Sequence, residues 1–276
     1  MCELLAMSAN VPTDIRFSFT ALSQRGGRTG KHTDGWGIAF YEGKGCRTLL
    51  DPSPSAESEL ARFVRDYPIK SRIVIAHIRK ANRGRVALEN THPFTRELWG
   101  RRWSFAHNGQ LKGIKAYPLR QSTPIGTTDS EHAFCWLMGE LRRRFERRPS
   151  EARLGRAITE MFAHLRTLGV FNAFLSDGET LYASCSTKLC YVERRAPFGQ
   201  AALIDEDLEV DFSRETTPDD RVLILASQPL TRNETWVTVT PGTSLVLKDG
   251  GVLKTLERNP KSGSHFSVKL RDQAKT

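Results

Sequence analysis

Apolar and polar positions along the chain change rhythm twice. From residue 36 to 107 the apolar runs are short: Ile38-Ala39-Phe40-Tyr41, Arg72 to Ile78 (RIVIAHI), and Trp103-Ser104-Phe105-Ala106-His107. Runs of this length, rich in β-branched and aromatic side chains, predict strands. RIVIAHI is nearly continuous in apolar residues, as in a strand buried on both faces. Glu42-Gly43-Lys44-Gly45 reads as a turn, and Asn108-Gly109 as a turn dipeptide closing the strand that ends at His107. Asp51-Pro52-Ser53-Pro54-Ser55 reads as a linker into a short helix near 56–66.

Between about residues 130 and 168 the period lengthens. Phe134, Leu137, Met138, Leu141 and Phe145 share one helical face, as do Leu154, Ile158, Met161, Phe162 and Leu165. Gly169 then predicts a helix stop. Strands return at 171–176 and 180–185, either side of Asp177-Gly178, and at 191–192, 221–226 and 245–247, with Lys248-Asp249-Gly250-Gly251 as a second hairpin turn. Strands, two long helices and strands again predict an α+β fold of sheets packed on helices, in one unit over residues 1–255. Residues 256–276 are polar and basic and predict a loose tail.

Composition narrows the function classes. With 39% hydrophobic residues in 276, the chain is not wholly disordered. No apolar stretch approaches the ~18 residues of a spanning helix, and the start, Met1-Cys2-Glu3, predicts no signal peptide. Five sparse cysteines predict reduced thiols and a cytoplasmic home. The net charge of +10 is concentrated: residues 142–156 hold seven Arg against two Glu, and residues 251–276 six Lys+Arg against two acids. A nucleic-acid groove would spread its cations and interleave aromatics, so this clustering favours a solvated face over a nucleic-acid partner.

Gln24 to Lys31 is glycine-rich but lacks Walker spacing: three residues separate Gly26 from Gly30-Lys31, and His32 follows. His32, His92, His132, His164 and His265 show no zinc spacing. No metal and no cofactor are therefore predicted.

Five places carry candidate chemistry. Removal of Met1 would give Cys2 both a thiol and a free α-amine, and a neutral amine can act as the thiol's base. Arg79, after the RIVIAHI strand, could clamp a carboxylate. Asn108 and Gly109 could supply an amide and an N–H to an oxyanion. Thr128 and Glu131 fit a helix capping box with Asp129 in the first turn, where the acid could also hold an ammonium. Asp34-Gly35-Trp36-Gly37 would allow close backbone approach. Taken singly, each has a plain alternative: an inert cysteine, a surface arginine, a turn, a cap and a loop.

Taken in order, the pieces resemble a family. Met1-Cys2, Arg25-Gly26-Gly27 with Asp34-Gly35-Trp36-Gly37, His77 to Asn82, Thr91-His92-Pro93-Phe94, Ala106 to Gly109 and Thr128 to Glu131 are similar to motifs of the class II glutamine amidotransferases. The resemblance runs from Met1 to about residue 250. It implies a four-layer αββα N-terminal-nucleophile hydrolase fold. It also implies Cys2 as nucleophile with its own amine as base, Asn108 and Gly109 as oxyanion hole, Arg79 on the glutamine α-carboxylate and Asp129 on its α-ammonium. Asn82 stands among the implied substrate contacts, where many synthase-linked members have a threonine, and Lys80 replaces a common tryptophan. The expected activity is hydrolysis of the side-chain amide of glutamine or of a γ-glutamyl compound. The alternatives are a glutaminase subunit delivering ammonia to a separate synthase, and a non-catalytic glutamyl-binding regulator.

Overall fold

The computed structural model describes residues 2–81, 84–214 and 217–256. In chain order the elements are β1 (Glu3–Asp14), α1 (Arg16–Gln24), β2 (Trp36–Glu42), β3 (Gly45–Asp51), α2 (Glu59–Asp66), β4 (Lys70–Ile78), β5 (Phe94–Leu98), β6 (Arg101–Leu111), α3 (Asp129–Arg144), α4 (Glu151–Thr167), β7 (Gly169–Ser176), β8 (Leu181–Ser184), β9 (Cys190–Arg195), β10 (Gln200–Ala202), β11 (Glu209–Asp211), β12 (Arg221–Ala226), β13 (Val237–Thr238), β14 (Ser244–Lys248) and β15 (Gly251–Leu256). One sheet has the order β13-β9-β12-β1-β4-β2-β3, the other β15-β14-β8-β7-β6-β5, and β10-β11 form a small ribbon.

Side-chain alternation along the strands builds three apolar layers. Leu5, Met7, Val74 and Ala76 pack with Phe19 and Leu22 of α1 and Ala61 and Val64 of α2. Phe105, Phe171 and Leu175 pack with α3 and α4 through Phe134, Leu137, Ile158 and Phe162. Between the sheets lie Leu4, Ala6, Ile73, Ile75, Ala106, Phe174, Leu223 and Leu245. The layers therefore run helix, sheet, sheet, helix. No helix among the described residues is long and apolar enough to cross a membrane.

The apolar pattern does not announce β1. Its leading residues, Glu3 to Ala9, are buried on both faces, so there is no polar-apolar alternation to read. One local expectation is overturned and another is met. Asn108-Gly109 is not a turn: β6 continues through it to Leu111, paired with β7 as Asn108↔Asn172 and Gly109↔Phe171. Gly169 does mark the helix stop: α4 ends at Thr167 with Leu168 as its C-cap, and Gly169 follows the cap and opens β7. Both glycines answer to close approach. A Cβ on Gly109 would lie 1.8 Å from the Val170 carbonyl oxygen, and one on Gly169 would lie 2.1 Å from that of Gln110. Only bare backbone lets the ends of β6 and β7 meet here.

Much of the arginine block is tied to neighbouring acids. Arg143 pairs with Glu140, Arg144 with Glu160, and Arg148 with Asp177 and Glu179. The tail expected at 256–276 lies, from residue 257 onward, outside the described residues.

Candidate active site

β1 begins, β4 ends and β6 ends at one edge of the sandwich, since β4 runs antiparallel to β1 with Glu3 opposite Ile78. That edge, with the N-terminus of α3, encloses a cavity of about 280 Å³. Cys2, Arg79, Asn108, Gly109 and Asp129 all line it. Asn82, the remaining site residue expected from the sequence, lies outside the described residues.

Asn108 sits on the inter-sheet face of β6, one residue out of phase with His107, and reaches across to Cys2. Its Oδ1 accepts from the Cys2 backbone N at 3.0 Å, and its Nδ2 donates to the Cys2 carbonyl at 2.6 Å. The motif implies an oxyanion donor at this position; the structure shows the amide gripping both backbone groups of Cys2. The thiol rests against the Lys80 peptide, with Lys80 N–H donating to Sγ at 3.3 Å and Sγ lying 3.5 Å from the Lys80 carbonyl. Burial raises the thiol's pKa above the ordinary cysteine value, while the Lys80 N–H and the Arg79 charge pull it down. The net direction is upward, so the thiol is protonated at neutral pH and needs a base to attack.

Arg79 is 4% exposed. Its Nη1 donates to the Asp34 carbonyl at 3.2 Å, and among the described residues it forms no salt bridge. Buried arginines without a carboxylate are uncommon, because the desolvation of the cation is uncompensated. The Asp34-Gly35-Trp36-Gly37 segment supplies the mount. Gly35 O accepts Arg79 N–H at 2.7 Å, Asp34 N–H donates to Arg79 O at 3.2 Å, and Asp34 Oδ2 accepts Ala81 N–H at 2.7 Å.

Asp129 opens α3 behind the N-cap Thr128, whose side chain accepts from Glu131 N–H at 3.1 Å. Asp129 Oδ2 accepts from Leu111 N–H at 2.7 Å and Oδ1 from Ser130 N–H at 2.9 Å, which fixes the carboxylate toward the end of β6. A carboxylate offers about four lone-pair sites, so acceptor capacity remains. The expected capping box is only half formed. Glu131 does not return to Thr128 but accepts from Ile125 N–H and Gly126 N–H and pairs with Arg96 at 2.5 Å. At 1% exposure this carboxylate requires a cation, and Arg96 supplies it.

Three buried histidines, none of them among the site residues expected from the sequence, surround these groups. His107 Nε2 lies 3.0 Å from the Val170 carbonyl, which can only accept, so Nε2 carries the proton and Nδ1 accepts from Ser130 Oγ at 2.8 Å. His92 lines the cavity, and its ring lies 4.3 Å from that of His77. No ring nitrogen of His77 or His92 has a hydrogen-bond partner among the described residues. Burial depresses the pKa of all three, that of His77 to about 3. The available signal was their position inside the Thr91-His92-Pro93-Phe94 and Ala106 to Gly109 motifs. Among the described residues no cluster of histidine, cysteine and carboxylate side chains could hold a metal ion.

The layered architecture is the N-terminal-nucleophile hydrolase fold. Glutamine phosphoribosylpyrophosphate amidotransferase from B. subtilis, complexed with ADP and GMP, shares it at a TM-score of 0.58 and 15% identity, over 93% of this chain and 49% of that one. Residues 1–271 match the family described as glutamine amidotransferases class-II. YafJ of Escherichia coli (strain K12), provisionally named a glutamine amidotransferase, is 61% identical over 243 residues, covering 88% of this chain and 95% of YafJ. The 2.0 Å crystal structure of a predicted glutamine amidotransferase from Pseudomonas aeruginosa PA01 aligns at a TM-score of 0.73 and 48% identity, over 92% of this chain and all of that one. The chain belongs to the class II glutamine amidotransferases.

Proposed function

We propose that this protein hydrolyses the side-chain amide of glutamine or of a γ-glutamyl compound through a thioester on Cys2. One observation carries the reading. Asn108 holds the backbone of Cys2 in a cavity that also contains a buried cation with no carboxylate partner among the described residues, Arg79, and a carboxylate with spare acceptor capacity, Asp129. A glutamyl head group presents one carboxylate and one ammonium on the same carbon, which this pair complements.

The reaction starts once Met1 is removed and Cys2 carries a free α-amine. That amine takes the thiol proton as Sγ adds to the amide carbon, and the carbonyl oxygen becomes an oxyanion. The second N–H of the Asn108 amide and the Gly109 backbone N–H stabilise it. Collapse breaks the C–N bond, and the Cys2 ammonium returns its proton to the departing nitrogen. Ammonia or an amine leaves, and a γ-glutamyl thioester remains. Water, deprotonated by the same amine, attacks the thioester to release the glutamyl acid and restore the thiol. His77, His92 and His107 stay neutral at pH 7, so they add no cation to compete with Arg79 for the substrate carboxylate.

The test is ammonia or amine release by the purified protein from L-glutamine and from a panel of γ-glutamyl peptides and amides, with wild type and Cys2→Ala side by side. Turnover should require Cys2 and an N-terminus lacking Met1, and a mass shift of one glutamyl group on Cys2 should appear when the reaction is quenched early. Full activity in Cys2→Ala, or in protein that retains Met1, refutes the mechanism. Turnover of γ-glutamyl amides but not of glutamine excludes a role as an ammonia-delivering subunit.

A further inference from the structure

One buried side chain joins the two loops that border the proposed head-group site. Asn90 is 1% exposed. Its Oδ1 accepts from Thr127 N–H at 2.8 Å, and its Nδ2 donates to the Arg85 carbonyl at 3.2 Å. The turn before α3 presses directly on this amide, since a Cβ on Gly126 would lie 2.4 Å from Asn90 Oδ1. The other loop passes beside the guanidinium of Arg79: a Cβ on Gly84 would lie 3.7 Å from Arg79 Nη2 and 3.9 Å from Thr127 Oγ1. Glu131 and Lys115 hold the turn from the far side, through Gly126 N–H at 2.7 Å and the Thr127 carbonyl at 2.6 Å.

The Asn90 side chain therefore joins the loop beside Arg79 to the turn that leads into Asp129. Arg79 directly follows β4 and Asp129 opens α3, in different layers of the fold, and among the described residues no hydrogen bond or ion pair joins them directly. Their separation has to be maintained through intermediates. We propose that Asn90 is a positioning residue that fixes the spacing between the Arg79 guanidinium and the Asp129 carboxylate, and so sets the affinity for a zwitterionic glutamyl head group without taking part in the amide chemistry. The inference rests on the function proposed above. A head group whose two charges sit on one carbon binds tightly only if both partners are held in place beforehand; otherwise binding must order them at its own cost. The Cys2 and Asn108 end of the cavity is held by separate hydrogen bonds, so loosening Asn90 should leave it intact.

The test compares Asn90 with Asn90→Ala and Asn90→Asp in two settings. In a Cys2→Ala background, calorimetry measures L-glutamine binding without turnover. With Cys2 present, steady-state kinetics and the rate of Cys2 alkylation by iodoacetamide, a reagent with no head group, are measured. Asn90→Ala should weaken binding and raise KM by about tenfold, with kcat within roughly twofold of wild type and alkylation unchanged. Asn90→Asp keeps the acceptor for Thr127 N–H and loses the donor to Arg85, so it should fall between the two. It also carries the test if the alanine variant does not fold. Unchanged binding, or a kcat loss accompanied by altered alkylation, overturns the inference. If the Cys2→Ala protein with Asn90 intact binds neither L-glutamine nor a γ-glutamyl amide, the functional reading has failed and this inference falls with it; a loss confined to Asn90 variants cannot be mistaken for that result.

Discussion

Replacing Arg79 by methionine separates a functional arginine from a structural one. The side chain is 4% exposed and its hydrogen bond to protein goes to the Asp34 carbonyl at 3.2 Å. Losing that bond costs about 1 kcal/mol, with some further penalty for the carbonyl left behind. Against this, the variant removes a desolvated cation that has no carboxylate partner among the described residues, which in comparable settings costs several kcal/mol. Methionine fills similar volume with flexible apolar atoms. The net effect on stability should lie between zero and a modest gain. A thermal midpoint equal to wild type or a few degrees higher is expected, at roughly 2–4 °C per kcal/mol for a chain of this size. Function should move the other way. Losing the proposed bidentate grip on the substrate carboxylate would remove about 2–4 kcal/mol, or roughly 30- to 1,000-fold in kcat/KM. The assay is kcat/KM for the best γ-glutamyl substrate and the unfolding midpoint on the same preparation. A midpoint lowered by more than about 6 °C with kcat/KM intact would show that Arg79 stabilises the fold and does not hold substrate.

Two further outcomes follow from the same geometry. Asn108→Ala removes the proposed oxyanion donor and releases both backbone groups of Cys2, so kcat should fall by roughly 10²–10³ or more, with a smaller change in KM; a loss under about tenfold would remove Asn108 from the reaction. His77 is neutral in the fold, with a pKa lowered from 6.5 to about 3, so the unfolded chain takes up its proton first as pH falls. Its contribution to stability is complete above pH 6.5 and is lost progressively toward pH 3. His77→Gln should flatten the decline of the unfolding midpoint between pH 7 and 4 when both proteins are followed across that range, and an unchanged slope would show that other groups govern acid unfolding.

Several features were legible in the sequence because they are local. The face formed by Phe134, Leu137, Met138 and Leu141 specifies α3, and Asp177-Gly178 specifies the β7–β8 hairpin, because the physics that selects them acts within a few residues. Residue chemistry was equally open: a cysteine in second place, an arginine after an apolar strand, and an amide beside a glycine. Other features depend on residues far apart in the chain. β1 hides from pattern reading because its two faces are buried by two different layers, one of which includes Leu245 of β14, more than two hundred residues away. Asn108-Gly109 reads as a turn until β7 is laid beside it. Then the approach of the Val170 carbonyl makes glycine the residue that fits and extends the strand. Glu131 fits a capping box until Arg96 competes for it and wins, because a buried carboxylate gains more from a cation than from one backbone N–H. Local residue order alone specifies which functional groups the chain carries and which short segments curl or extend. That Cys2, Arg79, Asn108 and Asp129 share one cavity, and that Asn90 joins its walls, follows from the folded arrangement, because the antiparallel run of β1 against β4 and the join of β6 to α3 are fixed by long-range burial.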